Sequence, residues 1–134
     1  MRAVEALSLD IVARHGILPR HVLGHSDVAP RRKIDPGEKF DWGRLARAAL
    51  GHWVEPAPLT EGPVLTRGAR GDEVLRLQEA LRAYGYGIPC TGEYCEDTEI
   101  VVKAFQRHFR PSLVDGRADA STAATLEALL SRLA

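Results

Sequence analysis

Apolar residues recur along this chain with two kinds of order. In residues 2–15, Val4, Leu7, Ile11 and Val12 follow i, i+3, i+7, i+8 spacing, one stripe of an amphipathic helix that Gly16 stops, with Pro19 just beyond. The next apolar stretch, His21-Val22-Leu23-Gly24-His25, is short enough to predict only a brief strand. Residues 42–50 predict a short helix with Leu45, Ala46, Ala49 and Leu50 inward and Asp41 as its N-cap. From Val64 onward helical periodicity dominates. Val74, Leu77, Leu81 and Tyr84 mark a helix over 72–84. Ile100, Val101, Ala104, Phe105 and Phe109 mark one over 97–109. Leu126, Leu129, Leu130 and Leu133 mark a third over 121–133. Turn residues separate them: Gly85, then Gly87, Pro89 and Gly92, then Pro111 and Asp115-Gly116.

This pattern divides the chain into an N-terminal region (1–55), a proline-rich linker without periodicity (56–63) and a three-helix bundle (64–134). The predicted fold is mainly α. The N-terminal region has a helix and a strand but no sheet to receive them. Val4, Leu7, Ile11, Val22 and Leu23 therefore lack cover, and the region is expected to associate with another surface.

Charge narrows the partners. Lys+Arg and Asp+Glu both number 18, and the halves are nearly balanced, so no basic face supports nucleic-acid binding. No apolar run is long enough for a membrane span, and the N-terminus carries no export signal of its own. Cys90 and Cys95 are too few for a disulfide framework; a local disulfide and two free thiols are both open.

Chemistry concentrates in residues 24–37, G-H-S-D-V-A-P-R-R-K-I-D-P-G. Pro30 and Pro36-Gly37 hold it as a structured loop. His25 and Asp35 could converge on one zinc ion, and Lys33 could set a fixed positive charge beside a developing oxyanion. Asp27 could cap the loop. On spacing alone, a His and an Asp ten residues apart are more often surface residues.

The loop, with the Phe40-Asp41-Trp42 just after it, resembles the signature of the zinc-dependent N-acetylmuramoyl-L-alanine amidases of the type 2 group. The resemblance implies that residues 1–55 are the C-terminal part of an α/β amidase domain. It implies His25 and Asp35 as zinc ligands and Lys33 as the catalytic residue stabilising the intermediate when the bond between N-acetylmuramic acid and L-alanine is hydrolysed. The family's further zinc histidine and its glutamate have no counterpart here, so the zinc site is expected to be incomplete.

A second resemblance covers residues 64–134. Arg67-Gly68, Gly71-Asp72, Val74, Leu77-Gln78 and Leu81, then Tyr84-Gly85-Tyr86, Ala104-Phe105-Gln106, Val114-Asp115-Gly116, Thr122 and Leu126 resemble the peptidoglycan-binding domain family of three-helix modules. That implies peptidoglycan as partner, with Tyr86, Tyr94 and Gln106 as candidate glycan contacts or, equally, packing residues. Together the resemblances imply a bacterial cell-wall hydrolase acting in the periplasm or cell envelope, or alternatively a non-catalytic peptidoglycan-binding protein.

Overall fold

A computed structural model describes residues 1–133. Among them six α-helices occur in order: α1 (Arg2–His15), α2 (His25–Val28), α3 (Trp42–Arg47), α4 (Asp72–Tyr84), α5 (Glu96–Phe109) and α6 (Ala120–Ser131). The fold is mainly α, as the periodicity predicts.

α4, α5 and α6 form the bundle. Val74 and Leu81 of α4, Val102, Ala104 and Phe105 of α5 and Leu129 of α6 are fully buried together. Each of these valine, leucine and phenylalanine side chains contributes roughly 1.5–3 kcal/mol of transfer free energy. Gly85 ends α4 at a φ of 129°, which suits a glycine.

Two buried glutamines organise the turns between the helices. The Gln78 carboxamide oxygen accepts from the backbone N–H of Thr91 and Gly92, while its nitrogen donates to the Glu93 carbonyl and Thr98 Oγ1. Gln106 repeats the device one helix later. It accepts from Asp115 and Gly116 N–H and donates to the Arg117 carbonyl and Thr122 Oγ1. Antiparallel bridges Leu65–Ala118 and Arg70–Glu93 close the same end of the bundle.

The strand expected at residues 21–25 does not form. Pro19–His21 is instead a 3-10 turn, and α2 begins at His25. A lone five-residue strand would leave its backbone groups unpaired. The turn satisfies them locally: His21 N–H donates to the Leu18 carbonyl and Val22 N–H to that of Pro19. Pro19 presets the turn's φ and has no N–H to waste.

α1 buries no residue. Leu7 is 61% exposed, and Val4, Ile11 and Leu23 are also exposed, as expected, whereas Val22 is partly buried against the cluster of Trp42, Leu45 and Leu50. α1 is held at one edge, where Val12 meets a small cluster built on Trp42, Leu45 and Leu50, and Glu5 pairs with Arg44.

The N-terminal region and the bundle are not separate bodies on a free linker. Trp53 packs against both apolar clusters, and Val54 is buried in the bundle core. Ala57 is tied to α6 twice: its N–H donates to Thr125 Oγ1 at 3.0 Å and its carbonyl accepts from Ser121 Oγ at 2.6 Å. No described helix is long and apolar enough to cross a membrane.

Candidate functional site

The loop at residues 24–37 is built around a glycine that tolerates no side chain. A Cβ at Gly24 would stand 2.9 Å from Pro36 Cδ and 3.2 Å from Trp42 Cζ2. This close approach lets the Pro36 ring and the Trp42 indole close over the start of α2. Ser26 N–H donates to the Asp35 carbonyl at 3.0 Å, so the two ends of the loop are joined. Lys33 and Arg32 N–H both bond back to Ala29, which turns the chain between them.

This closure brings two of the expected site residues together. His25 Nδ1 lies 3.3 Å from Asp35 Oδ2, with the side chains about half exposed. One imidazole nitrogen and one carboxylate oxygen on an accessible surface suit two positions of a zinc ion, which binds tetrahedrally to such donors. A catalytic zinc takes three protein ligands, and among the described residues no group of three His, Cys, Asp or Glu could hold a metal ion. His25 and Asp35 are the two donors that the closure of the loop brings together. Lys33 is exposed on the same loop and enters no ion pair among the described residues.

The far side of the loop is anchored to the bundle. Asp27 is buried and accepts three hydrogen bonds: Gly24 N–H to Oδ2 at 2.9 Å, Tyr86 Oη–H to Oδ1 at 2.6 Å, and His108 Nδ1–H to Oδ2 at 2.6 Å. The His108 ring stacks between Trp42, at 3.9 Å and 16°, and Phe109, at 3.8 Å. Arg31 pairs with Asp97 and, at 3.9 Å, with Glu96 in the first turn of α5. Burial, then the Asp27 charge, pushes the Tyr86 phenol well above its ordinary pKa, so it stays a donor. Asp27 therefore does more than cap the loop. It joins the loop to a helix far away in sequence, and His108 is its partner. Position 108 lies one helical turn after Phe105, on the inward face of α5, and that spacing marks it as buried.

The expected glycan contacts are corrected by burial. Tyr86 is 6% exposed, Tyr94 1% and Gln106 0%. Tyr94 Oη–H donates to the Gly116 carbonyl at 2.6 Å, and Gln106 holds the turn at residues 115–117. All three are buried and engaged in hydrogen bonds within the fold. Cys90 and Cys95 are both free thiols and half-buried.

Comparison with known proteins fits both halves of this arrangement. Residues 70–126 match the family described as "Putative peptidoglycan binding domain". Over 132 residues the chain is 37% identical to the N-acetylmuramoyl-L-alanine amidase AmiD of Escherichia coli (strain K12), covering 98% of this chain and 48% of that protein. A stretch of 40 residues, 30% of this chain and 21% of the relative, is 44% identical to the 1,6-anhydro-N-acetylmuramyl-L-alanine amidase AmpD of Enterobacter cloacae. Among solved structures, the complex of E. coli AmiD with anhydro-N-acetylmuramic acid-L-Ala-D-gamma-Glu-L-Lys superposes with a TM-score of 0.79 at 38% identity, over 98% of this chain and 51% of that one. AmpDh3 from Pseudomonas aeruginosa gives 0.77 at 32% identity, over 98% and 52%. The chain spans about half the length of the relatives it matches from end to end. Over nearly all of its length the chain is similar to part of the N-acetylmuramoyl-L-alanine amidases, and its residues 70–126 match the peptidoglycan-binding family model.

Proposed function

We propose that this chain serves in hydrolysis of the amide between N-acetylmuramic acid and L-alanine in bacterial peptidoglycan, at the cell envelope. In this reading residues 1–55 are part of the catalytic domain, 56–63 the connection, and 64–134 the wall-binding module. The observation that carries it is the His25–Asp35 pair, 3.3 Å apart on a loop clamped to a peptidoglycan-binding bundle.

His25 and Asp35 are the two zinc ligands this chain contributes. Bound there, zinc supplies the Lewis acid for amide hydrolysis. Lys33 places its ammonium where the scissile carbonyl oxygen gains negative charge, a contribution that rests on position rather than proton transfer. The Ser26–Asp35 bond and the Pro36–Gly24 contact hold both ligands on one loop, which limits the reorganisation needed on binding. Two donors do not complete a catalytic set, so tight zinc binding and turnover require a third ligand and a proton-handling carboxylate from a further polypeptide segment.

The test is zinc-dependent release of peptide from purified peptidoglycan, run with the chain alone and with a segment corresponding to the rest of an AmiD-like protein. Release only in the second case, lost in Lys33→Ala, is the expected result. One tightly bound zinc per isolated monomer would contradict the incomplete site. Binding to sacculi with no release under either condition would favour the second reading, a non-catalytic peptidoglycan-binding protein, which the match at residues 70–126 supports by itself.

A further inference from the structure

His108 is a polar side chain where an apolar one would pack. It is 2% exposed on α5, with its ring stacked between Trp42 and Phe109. Nδ1 bonds to Asp27 Oδ2, and Nε2 is buried with no hydrogen-bond partner among the described residues. An unpartnered buried nitrogen is a cost that leucine or phenylalanine would avoid here. What the imidazole supplies, and they cannot, is the bond to Asp27.

That bond leads to both members of the His25–Asp35 pair through one residue, Gly24. Asp27 Oδ2, the oxygen that His108 reaches, also accepts from Gly24 N–H at 2.9 Å, and Asp27 N–H donates to the Gly24 carbonyl at 3.1 Å. These two bonds fix the entry to α2, whose first residue is His25. Trp42, on which the His108 ring stacks, closes on the same glycine: a Cβ there would meet Trp42 Cζ2 at 3.2 Å and Pro36 Cδ at 2.9 Å. Pro36 follows Asp35, and the Asp35 carbonyl accepts from Ser26 N–H. A carboxylate and an indole, both in contact with one imidazole of the bundle, thus converge on the point where the backbones of the two donors meet. Tyr86 supplies a second bundle donor, to Asp27 Oδ1 at 2.6 Å, so both carboxylate oxygens are held.

We infer that His108, supported by Tyr86, is a positioning residue for His25 and Asp35, acting through Asp27 and Trp42. The bundle then sets the geometry of the two donors in addition to carrying the match to a wall-binding family. The inference rests on the proposed function for what the donors hold, zinc, and on the contacts above for the coupling. Partners that orient the ligands of a metal commonly change its affinity by about 10–100-fold when removed.

The test follows the full chain by nuclear magnetic resonance, first without metal and then in a titration with zinc chloride read at the His25 ring nitrogens. His108→Leu keeps bulk and loses the donor, Tyr86→Phe loses only a hydroxyl, and His108→Asn restores a donor near the Nδ1 position. Without metal, amide order parameters at residues 24–26 and 35 are expected near about 0.85 in the parent chain and to fall toward about 0.6 in His108→Leu. Those of α4 and α6 should not change, and His108→Asn should recover the loop. Zinc affinity at His25 should fall about tenfold in His108→Leu, less in Tyr86→Phe, and return in part in His108→Asn. A core-filling role predicts a change in unfolding free energy with loop order and zinc affinity unmoved, and that result overturns the inference. Loss of order spread equally over α4 and α6 overturns it too. Where His108→Leu does not fold, Tyr86→Phe decides: unchanged loop order in that variant overturns the inference, and a selective fall at residues 24–26 and 35 supports it. The two readings fail separately. If zinc leaves His25 of the parent unmoved while loop order still falls in His108→Leu, the coupling stands and the zinc reading fails. If the parent and all variants bind zinc equally, the zinc reading stands and the positioning role fails.

Discussion

Asp27 and His108 lie 81 positions apart in the sequence and 2.6 Å apart in the fold. Their hydrogen bond is buried, and Tyr86 and Gly24 complete the same node from either side. Removing the carboxylate leaves three donors without their acceptor, and an unsatisfied buried polar group costs about 1–3 kcal/mol. Asp27→Ala is therefore expected to lower stability by about 3 kcal/mol or more. Asp27→Asn, which keeps one acceptor oxygen, should cost less. Denaturant unfolding checks the magnitude. Hydrogen exchange checks the location: in Asp27→Ala, protection should fall in residues 24–50 while α4, α5 and α6 keep theirs. Uniform loss across the bundle would contradict an anchoring role.

The exposed face of α1 gives a prediction of opposite sign. Leu7 is 61% exposed and Ile11 is exposed beside it. Leu7 has little covered surface to lose, so Leu7→Glu should change unfolding free energy by no more than about 0.5 kcal/mol. The same change should reduce self-association at high concentration, because it breaks up an apolar stripe. Sedimentation velocity of the two proteins decides it. A large loss of stability would mean that the face is covered in the isolated chain.

These contrasts show where the sequence was legible. The helices of the bundle begin and end within about two residues of their periodicity, because Val74, Leu77 and Leu81 or Val101, Phe105 and Phe109 can satisfy 3.6-residue spacing in only one way. Residues 19–25 have no such redundancy. Two apolar residues between histidines fit a strand or a turn, and Pro19 together with the missing partner strand decided for the turn. Tyr86, Tyr94 and Gln106 left two readings open, glycan contact and packing, for another reason. Aromatics and amides near loops suggest a binding surface, but a bundle this small draws on its loops to complete the core. The Asp27–His108 bond is long-range, and only the inward phase of position 108 on α5 hinted at it. The G-H-S-D…K-x-D-P-G loop could be read residue by residue, and its closure brings together the His25–Asp35 pair that the proposed zinc site needs.

His52 couples the seam to pH. Burial first, then the positive charge of Arg132, lowers its pKa from the ordinary 6.5. Below pH 6.5 the unfolded chain takes up a proton at this position that the folded chain resists. The unfolded state thus binds more protons, and stability falls as pH drops through this window. His52→Gln, which can keep a bond to Tyr84, should show a shallower loss between about pH 6.5 and 5 than the parent chain. Equal slopes in urea unfolding would exclude His52 as the source.

Arg110 and Asp119 form the corresponding device inside the bundle. Arg110 is fully buried; its Nη1 donates to both Asp119 oxygens at 2.8 and 2.9 Å, and Nε and Nη2 donate to the Leu113 carbonyl. Asp119 also caps α6 by accepting from Thr122 N–H at 2.8 Å. Burial would raise the Asp119 pKa, but the Arg110 bonds and the two Thr122 bonds outweigh it and hold the carboxyl below its ordinary 3.8. A depressed carboxyl stabilises the fold above the unfolded value, and that contribution is lost as pH falls through the lower, folded value. Asp119→Asn should remove this acid-side slope below about pH 4 and, by leaving the Arg110 charge buried without a counter-ion, cost about 3 kcal/mol at pH 7. Asn still caps a helix, so the loss is assigned to the charge rather than the cap. Adding Arg110→Met to Asp119→Asn should recover part of the stability, because the unpaired charge is gone. A double variant less stable than Asp119→Asn would show that the methylene packing and Leu113 bonds of Arg110, not its charge, hold the end of α5 to the start of α6.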